Sequence, residues 1–343
     1  MNITRNMFII VTLILVSPLA LADRNGKVPG KPFAHLQQQI AALQARLDAI
    51  EPLLSAFSLN ENGDLVISGV NVYIQDGTDS TGGTIFNGKG NLIIGYDEND
   101  GTDEKSGSHN LVIGMEHTYT SYGGIVAGEN NEISHRGASV TGGFRNIASG
   151  LRASVSGGNS NIASAVHASV SDGLGNTASA NYASVSGGFE NTASTRLASV
   201  LGGHTNTPSG EWSSVGGGMG NVATGRGSSV SGGSFNTASG NFSSVSGGSA
   251  NVASGDTASV SGGSENHASA GDASVSGGSF NTASGGGSSV SGGALNFASG
   301  GASSVSGGDS NIAAGDNSTV GVGTNRSASG DSEWVAGSLQ EPN

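Results

Sequence analysis

The sequence predicts an all-β protein: a parallel β-solenoid, or β-roll, of 15-residue rungs preceded by a short coiled-coil helix. Three observations lead there. A Val recurs every 15 residues through most of the chain, Asn and Ala follow it at fixed offsets, and 60 of the 343 residues are Gly. A unit of this size is too short for a pair of helices and fits one turn of a solenoid. Abundant Gly without a Gly-X-Y period excludes collagen, and only 11% charged residues is unlike a disordered chain. The absence of Cys removes disulfide scaffolds and thiolate metal sites. With 13 Lys and Arg against 26 Asp and Glu, the net charge of −13 argues against nucleic acid and anionic membranes as partners of the chain.

In chain order, residues 1–22 read as a secretory signal peptide: Arg5 is the basic start, Met7 to Val16 the apolar run, and Ala20-Leu21-Ala22 the cleavage site. The run is shorter than the ~20 residues of a membrane span. Residues 23–35 are a linker. In 36–56, Leu36, Ile40, Leu43, Leu47, Ile50 and Leu54 are spaced 4, 3, 4, 3 and 4 apart, an a/d heptad seam, with Pro52 expected to help stop the helix. Mixed Ile and Leu in the seam is compatible with more than two strands, so self-association is expected. Residues 57–114 are a β-rich transition: Asp64-Leu-Val-Ile-Ser and Gly69-Val-Asn-Val-Tyr-Ile-Gln alternate as strands do. Within it, Gly90-Asn-Leu-Ile-Ile-Gly95 is echoed by His109-Asn-Leu-Val-Ile-Gly114, as wider first turns of a coil would be.

Residues 115–335 are the repeat, and 336–343 a polar tail. The Val ladder is Val140, Val155, Val170, Val185, Val200, Val215, Val230, Val245, Val260, Val275, Val290 and Val305, continued by Val320 and Val335, with Ile125 expected one step earlier. Six residues after each of the first twelve stands an Asn: Asn146, Asn161, Asn176, Asn191, Asn206, Asn221, Asn236, Asn251, Asn266, Asn281, Asn296 and Asn311. Ala follows two residues later, replaced once by Pro208, in the consensus A-S-V-S-G-G-x-x-N-x-A-S-G-x-x. Strand alternation puts Ala and Val inside and both Ser outside. Gly-Gly turns the chain, and Asn-x-Ala-Ser-Gly forms a second strand. The Asn side chains are expected to hydrogen-bond amide to amide along the axis. The interior is thin, about one Val per rung, which points towards association of several copies.

Rungs such as Ala153-Ser-Val-Ser-Gly-Gly and Asn236-Thr-Ala-Ser-Gly resemble the haemagglutinin/invasin-type head repeats of trimeric autotransporter adhesins, over about residues 90–335. The resemblance implies a left-handed β-roll, a homotrimer and a cell-surface binding role. Two departures stand out: that family's head commonly repeats one residue shorter, and no ~10-residue alternating segments of a C-terminal translocator barrel are found. The expectation is a secreted or surface-held, head-only relative that binds a glycan, matrix or cell-surface protein.

Catalytic motifs are missing. The seven His are scattered, no Gly-x-Ser-x-Gly stands in a strand-to-helix context, and the acids of the later rungs are spread out, so no enzyme is expected. Asp97, Asn99, Asp100, Asp103 and Glu104 invite calcium, but Gly101 misses the EF-hand position, leaving a solvated acidic loop as the plainer reading and no assigned cofactor. Twelve residues after successive Val come Arg152, His167, Tyr182, Leu197, Trp212, Gly227 and Phe242. Of these, Tyr182, Leu197, Trp212 and Phe242 are the candidate ligand-binding residues, either gripping a sugar or protein or forming a subunit contact. Two alternatives to an adhesin-like or structural rod stay open. The regular Ser rows suit an ice- or polysaccharide-binding face, although the position seven after Val is irregular. A β-helix carbohydrate-active enzyme would need an acid cluster the chain lacks.

Overall fold

The computed structural model describes residues 31–83 and 85–337. The signal peptide read at 1–22, most of the 23–35 linker and most of the 336–343 tail lie outside them. The chain divides into two compact units, up to Tyr73 and from Ile74.

The first unit holds the one α-helix among the described residues, Lys31–Leu54, and an antiparallel hairpin pairing Phe57–Leu59 with Leu65–Ile67. The helix starts before residue 36 and runs through Pro52, which was expected to stop it. Proline in the final turn removes a single intrahelical bond, and the Ser55 hydroxyl donates to the Pro52 carbonyl at 2.8 Å, closing the end. Asn60 Oδ1 accepts from the amides of Asn62 and Asp64 and shapes the hairpin turn. The second expected strand, 69–75, is irregular: Val70, Val72, Tyr73 and Ile74 are exposed, and none of the described residues pairs with it in a ladder.

The second unit is an all-β parallel solenoid of about 16 turns, about 15 residues each. Each regular rung presents three parallel faces: a Ser-Val strand, a single bridging residue four after the Val, and the x-Ala strand. Val155 pairs with Val140 and Val170, and Ala163 with Ala148 and Ala178. The Val, the Ala eight after it and the Ala or Ser two before it are sealed inside, as in Val155 at 0%, Ala163 at 0% and Ala153 at 0% exposure.

Backbone bonding runs in both directions. Strand amides donate to the following rung (Ser139 to Ala153, 3.0 Å), whereas the turn residues five and twelve after each Val adopt positive φ and donate backwards (Arg152 to Arg136 and Ser160 to Phe144, both 3.0 Å). Every turn is therefore clamped to both neighbours. The second glycine of Gly-Gly is obligatory: Gly158 has φ of 83°, and a Cβ there would lie 2.2 Å from the Gly173 carbonyl and 2.5 Å from Asn161 Nδ2.

The asparagine column works differently from the expected amide stack. Each Oδ1 accepts the next asparagine's backbone N–H, as Asn146 does from Asn161 at 2.9 Å. Each Nδ2 donates to a carbonyl of its own turn and to one of the next, as Asn161 does to Gly157 at 3.0 Å and Gly173 at 2.9 Å. Direct amide-to-amide bonds form only at three steps, into Asn176, Asn221 and Asn296. Backbone groups win because the tight Gly-Gly turn aims three of them at the buried amide, satisfying both of its donors and its acceptor.

The start of the coil also departs from the sequence reading. The ladder begins at Leu92–Ile94, paired with Leu111–Ile113, so the echoed motifs do stack. Val126, not Ile125, pairs with Val140 and is buried, while Ile125 faces outward opposite Ser139. The step there is one residue shorter than the later period, and a one-residue slip exchanges faces. The ladder extends backwards through Asn131 to His117, a fully buried ring whose Nδ1 accepts from the Asn131 amide (3.2 Å) and whose Nε2 bonds the Ile113 carbonyl (3.0 Å). The Ala column widens here through Ile133 to Tyr119, filling broader turns.

Candidate ligand-binding edge

The column twelve after each Val lies on one turn edge of the solenoid, and all seven of its sequence-selected members, Arg152, His167, Tyr182, Leu197, Trp212, Gly227 and Phe242, have positive φ between 54° and 65°. For a non-glycine residue that region costs roughly 1–2 kcal/mol. Glycine fits the same column at Gly137, Gly227 and Gly287. Side chains elsewhere in the column are therefore not required by the turn, and Tyr182 (51% exposed), Leu197 (40%), Trp212 (42%) and Phe242 (56%) contribute little to the core.

These side chains pack on one another along the axis. The His167 and Tyr182 rings stack at 5.2 Å and 11°. The guanidinium of Arg226 lies 4.2 Å above the Trp212 ring and 6.0 Å from that of Phe242, and the Phe242 ring itself leans over Gly227, within 2.8 Å of where a Cβ there would stand. Rungs are spaced ~4.8 Å apart, so ring faces stacked at this distance point along the axis and ring edges point to solvent. Arg196 Nη1 meets Glu211 Oε1 at 2.8 Å on the same edge. Arg226, Arg196 and Arg136, one position earlier in the turn, were missed by reading single columns; tabulating charge by rung position would have found them.

A second turn column, five after each Val, holds Phe235, Phe280 and Leu295 at positive φ, again beside glycines (Gly175, Gly220) that fit the turn. On the neighbouring bridge column Arg145 sits 4.7 Å over Phe144, and Phe189 and His204 meet edge-on at 4.9 Å.

The acidic loop is built around an internal cation. Lys105 Nζ donates to the Asp97 carbonyl (2.5 Å), the Asp97 carboxylate (2.9 Å) and the Glu98 carbonyl (2.6 Å). Asp97 Oδ2 also accepts from the buried Tyr119 hydroxyl at 2.7 Å, and burial followed by that bond pushes the phenol above its usual range. Asn99 caps Gly101 and Asp100 caps Thr102; the hydroxyl and then the amide of Thr102 hold the Asp100 carboxyl below its ordinary value. The ammonium thus takes up oxygens of Asp97, one of the five residues named for calcium, together with the Glu98 carbonyl. Among the described residues no three His, Asp or Glu side chains are grouped to hold a metal ion. A shallow concavity of about 360 Å³ brings Asp103, Glu116 and Glu132 near Arg145, a grouping the sequence did not suggest.

No known protein family matches the chain, and no curated protein is detectably similar to it.

Proposed function

We propose that this protein is a secreted or surface-held, non-catalytic binding rod of the adhesin-like kind, a homotrimer whose solenoid grips an extracellular ligand along the edge containing Tyr182, Leu197, Trp212 and Phe242. One observation carries the reading: bulky side chains persist at left-handed turn positions where glycine fits and where they serve neither core nor ladder. Bulky side chains held at strained, exposed turn positions point to a role at the surface. The trimer draws support from the helix, whose seam residues Leu36, Leu43, Leu47, Ile50 and Leu54 are all exposed. Export draws support from the leader-like first 22 residues.

The test compares the chain from residue 23 with its Tyr182→Ser, Leu197→Ser, Trp212→Ser, Phe242→Ser variant on a glycan array and on cell-surface preparations. The variant is expected to keep its melting temperature and lose binding. Unchanged binding would remove this edge from the function.

A second reading rests on the Ser file immediately before each Val, which runs without a break from Ser139 to Ser304 on a parallel sheet. A regular hydroxyl face of this kind suits an ordered lattice such as ice or a crystalline polysaccharide. Thermal hysteresis abolished by Ser→Lys changes in that file, with the turn edge intact, would favour it.

A further inference from the structure

Charge is partitioned along the turn edge in a way that the net charge of −13 conceals. The paired positions eleven and twelve after each Val, with their equivalents in the preceding rung, run from Arg136 to Phe242 through Arg152, His167, Arg196 and Arg226. The one acid in that stretch, Glu211, is bonded to Arg196. From Asp256 onward the same positions carry Asp256, Asp272, Asp316 and Asp331, with no cation and no aromatic ring. Between residues 133 and 250 the chain has five Arg (136, 145, 152, 196, 226) against three acids (Asp172, Glu190, Glu211); between 251 and 335 it has one Arg against seven acids. The aromatic and basic halves of the edge coincide.

Stacking decides what such an edge offers. His167 and Tyr182 turn their faces to each other, and Arg226 covers a face of Trp212. The outward-facing features are therefore ring edges, which carry the positive side of the aromatic quadrupole, together with guanidinium groups and the N–H and O–H groups of His167, Trp212 and Tyr182. Donors and positive edges favour anions. Nucleic-acid bases stack on open ring faces, and here one face each of His167, Tyr182 and Trp212 is already covered.

We infer that the ligand of this edge is an anionic linear polysaccharide, bearing uronate or sulfate groups, lying along the solenoid from Arg136 to Phe242. The inference rests on the binding role proposed above. Eight successive turns span ~34 Å, a straight file suited to a polymer with a repeating charge. Arg136, Arg152, Arg196 and Arg226 supply charge-assisted hydrogen bonds to its acid groups, and the acidic turns beyond Asp256 repel it, setting where binding ends.

The test measures binding of the chain from residue 23 to polygalacturonate, neutral dextran and poly(dT), at low and raised salt. Polygalacturonate is expected to bind, with affinity falling as salt rises, and dextran and poly(dT) to bind about tenfold more weakly or not at all. Arg136→Gln, Arg152→Gln, Arg196→Gln, Arg226→Gln together should lower polygalacturonate affinity by about tenfold or more with unchanged melting. Asp256→Asn with Asp272→Asn should not lower it. Failure to bind polygalacturonate, equal binding of dextran or poly(dT), or indifference to the four Arg changes overturns the inference. Dextran binding lost in the Tyr182, Leu197, Trp212, Phe242 variant but kept in the Arg variant would overturn the anionic ligand while leaving the binding edge in place.

Discussion

At the scale of the residue, three small side chains and one amide per turn make the interior. Val245 is 1% exposed between Val230 and Val260, and its neighbour Ser246 is exposed on the opposite face. Val245→Asp would bury a charge with no partner, typically several kcal/mol, whereas Ser246→Asp changes an outward position and should stay within roughly 0.5 kcal/mol. Thermal melting of the two variants at matched concentration should show a clear drop for the first only; equal melting would contradict the face assignment. The serines two before Val make a finer point. Ser228, Ser243, Ser288, Ser303 and Ser318 are buried with hydroxyls that have no hydrogen-bond partner, while Ala258 and Ala273 fill the same column. An unsatisfied buried hydroxyl costs about 1–3 kcal/mol, so replacing these five with Ala should raise the melting temperature. A fall would mean the hydroxyls find partners in the folded protein.

At the scale of the element, Pro208 divides the x-Ala face. The sheet there is six strands through Thr192–Ala193 and nine from Thr207–Pro208, because proline has no N–H to continue the ladder. The adjoining bond from Ser194 to the Pro208 carbonyl lengthens to 3.4 Å, against 3.0 Å for Ser179 to Ala193 one rung earlier. The amide of Ser194 is therefore expected to exchange its hydrogen faster than that of Ser179, and Pro208→Ala to bring the two together. Equal protection in the unaltered protein would show that the interruption has no energetic consequence. The substitution of Ala by Pro was visible in the sequence, but its effect on the sheet depended on knowing which strand amides pair. The same holds for Ile125 and Val126. The Val period, the inward Ala and the stacking of the echoed motifs were legible because strand alternation and repetition fix them. The register of the first turns was not, because one residue is lost between Val126 and Asn131, where no repeat unit marks the gap. Of the candidate edge, the aromatic column could be read by counting, whereas the packing of Arg226 over Trp212 and of Phe242 over Gly227 came only with the stacked geometry.

At the scale of the molecule, the two units differ in how far each supplies its own core. The solenoid seals its Val and Ala columns within one chain. In the first unit, by contrast, no residue from 34 to 73 with a described side chain is buried, and Phe57, Leu59, Leu65, Val66 and Ile67 of the hairpin are all exposed. An isolated hairpin is marginal in water, and a lone helix draws most of its stability from packing. The exposed apolar surface of this unit, with its heptad seam, is what the proposed self-association would bury. Ile40 and Ile50 occupy unlike seam positions among leucines, which favours more than two strands over a dimer. The expected outcome is a trimer by sedimentation equilibrium for the chain from residue 23. Leu43→Asp with Ile50→Asp places charge in the centre of the seam and should shift the mass towards monomer, with the far-ultraviolet β signal of the solenoid retained. A concentration-independent monomer for the unaltered chain would remove the trimer altogether. An unaltered trimer mass in the double variant would instead place the association in the solenoid, where the turn edge would become a subunit contact rather than a surface for ligand.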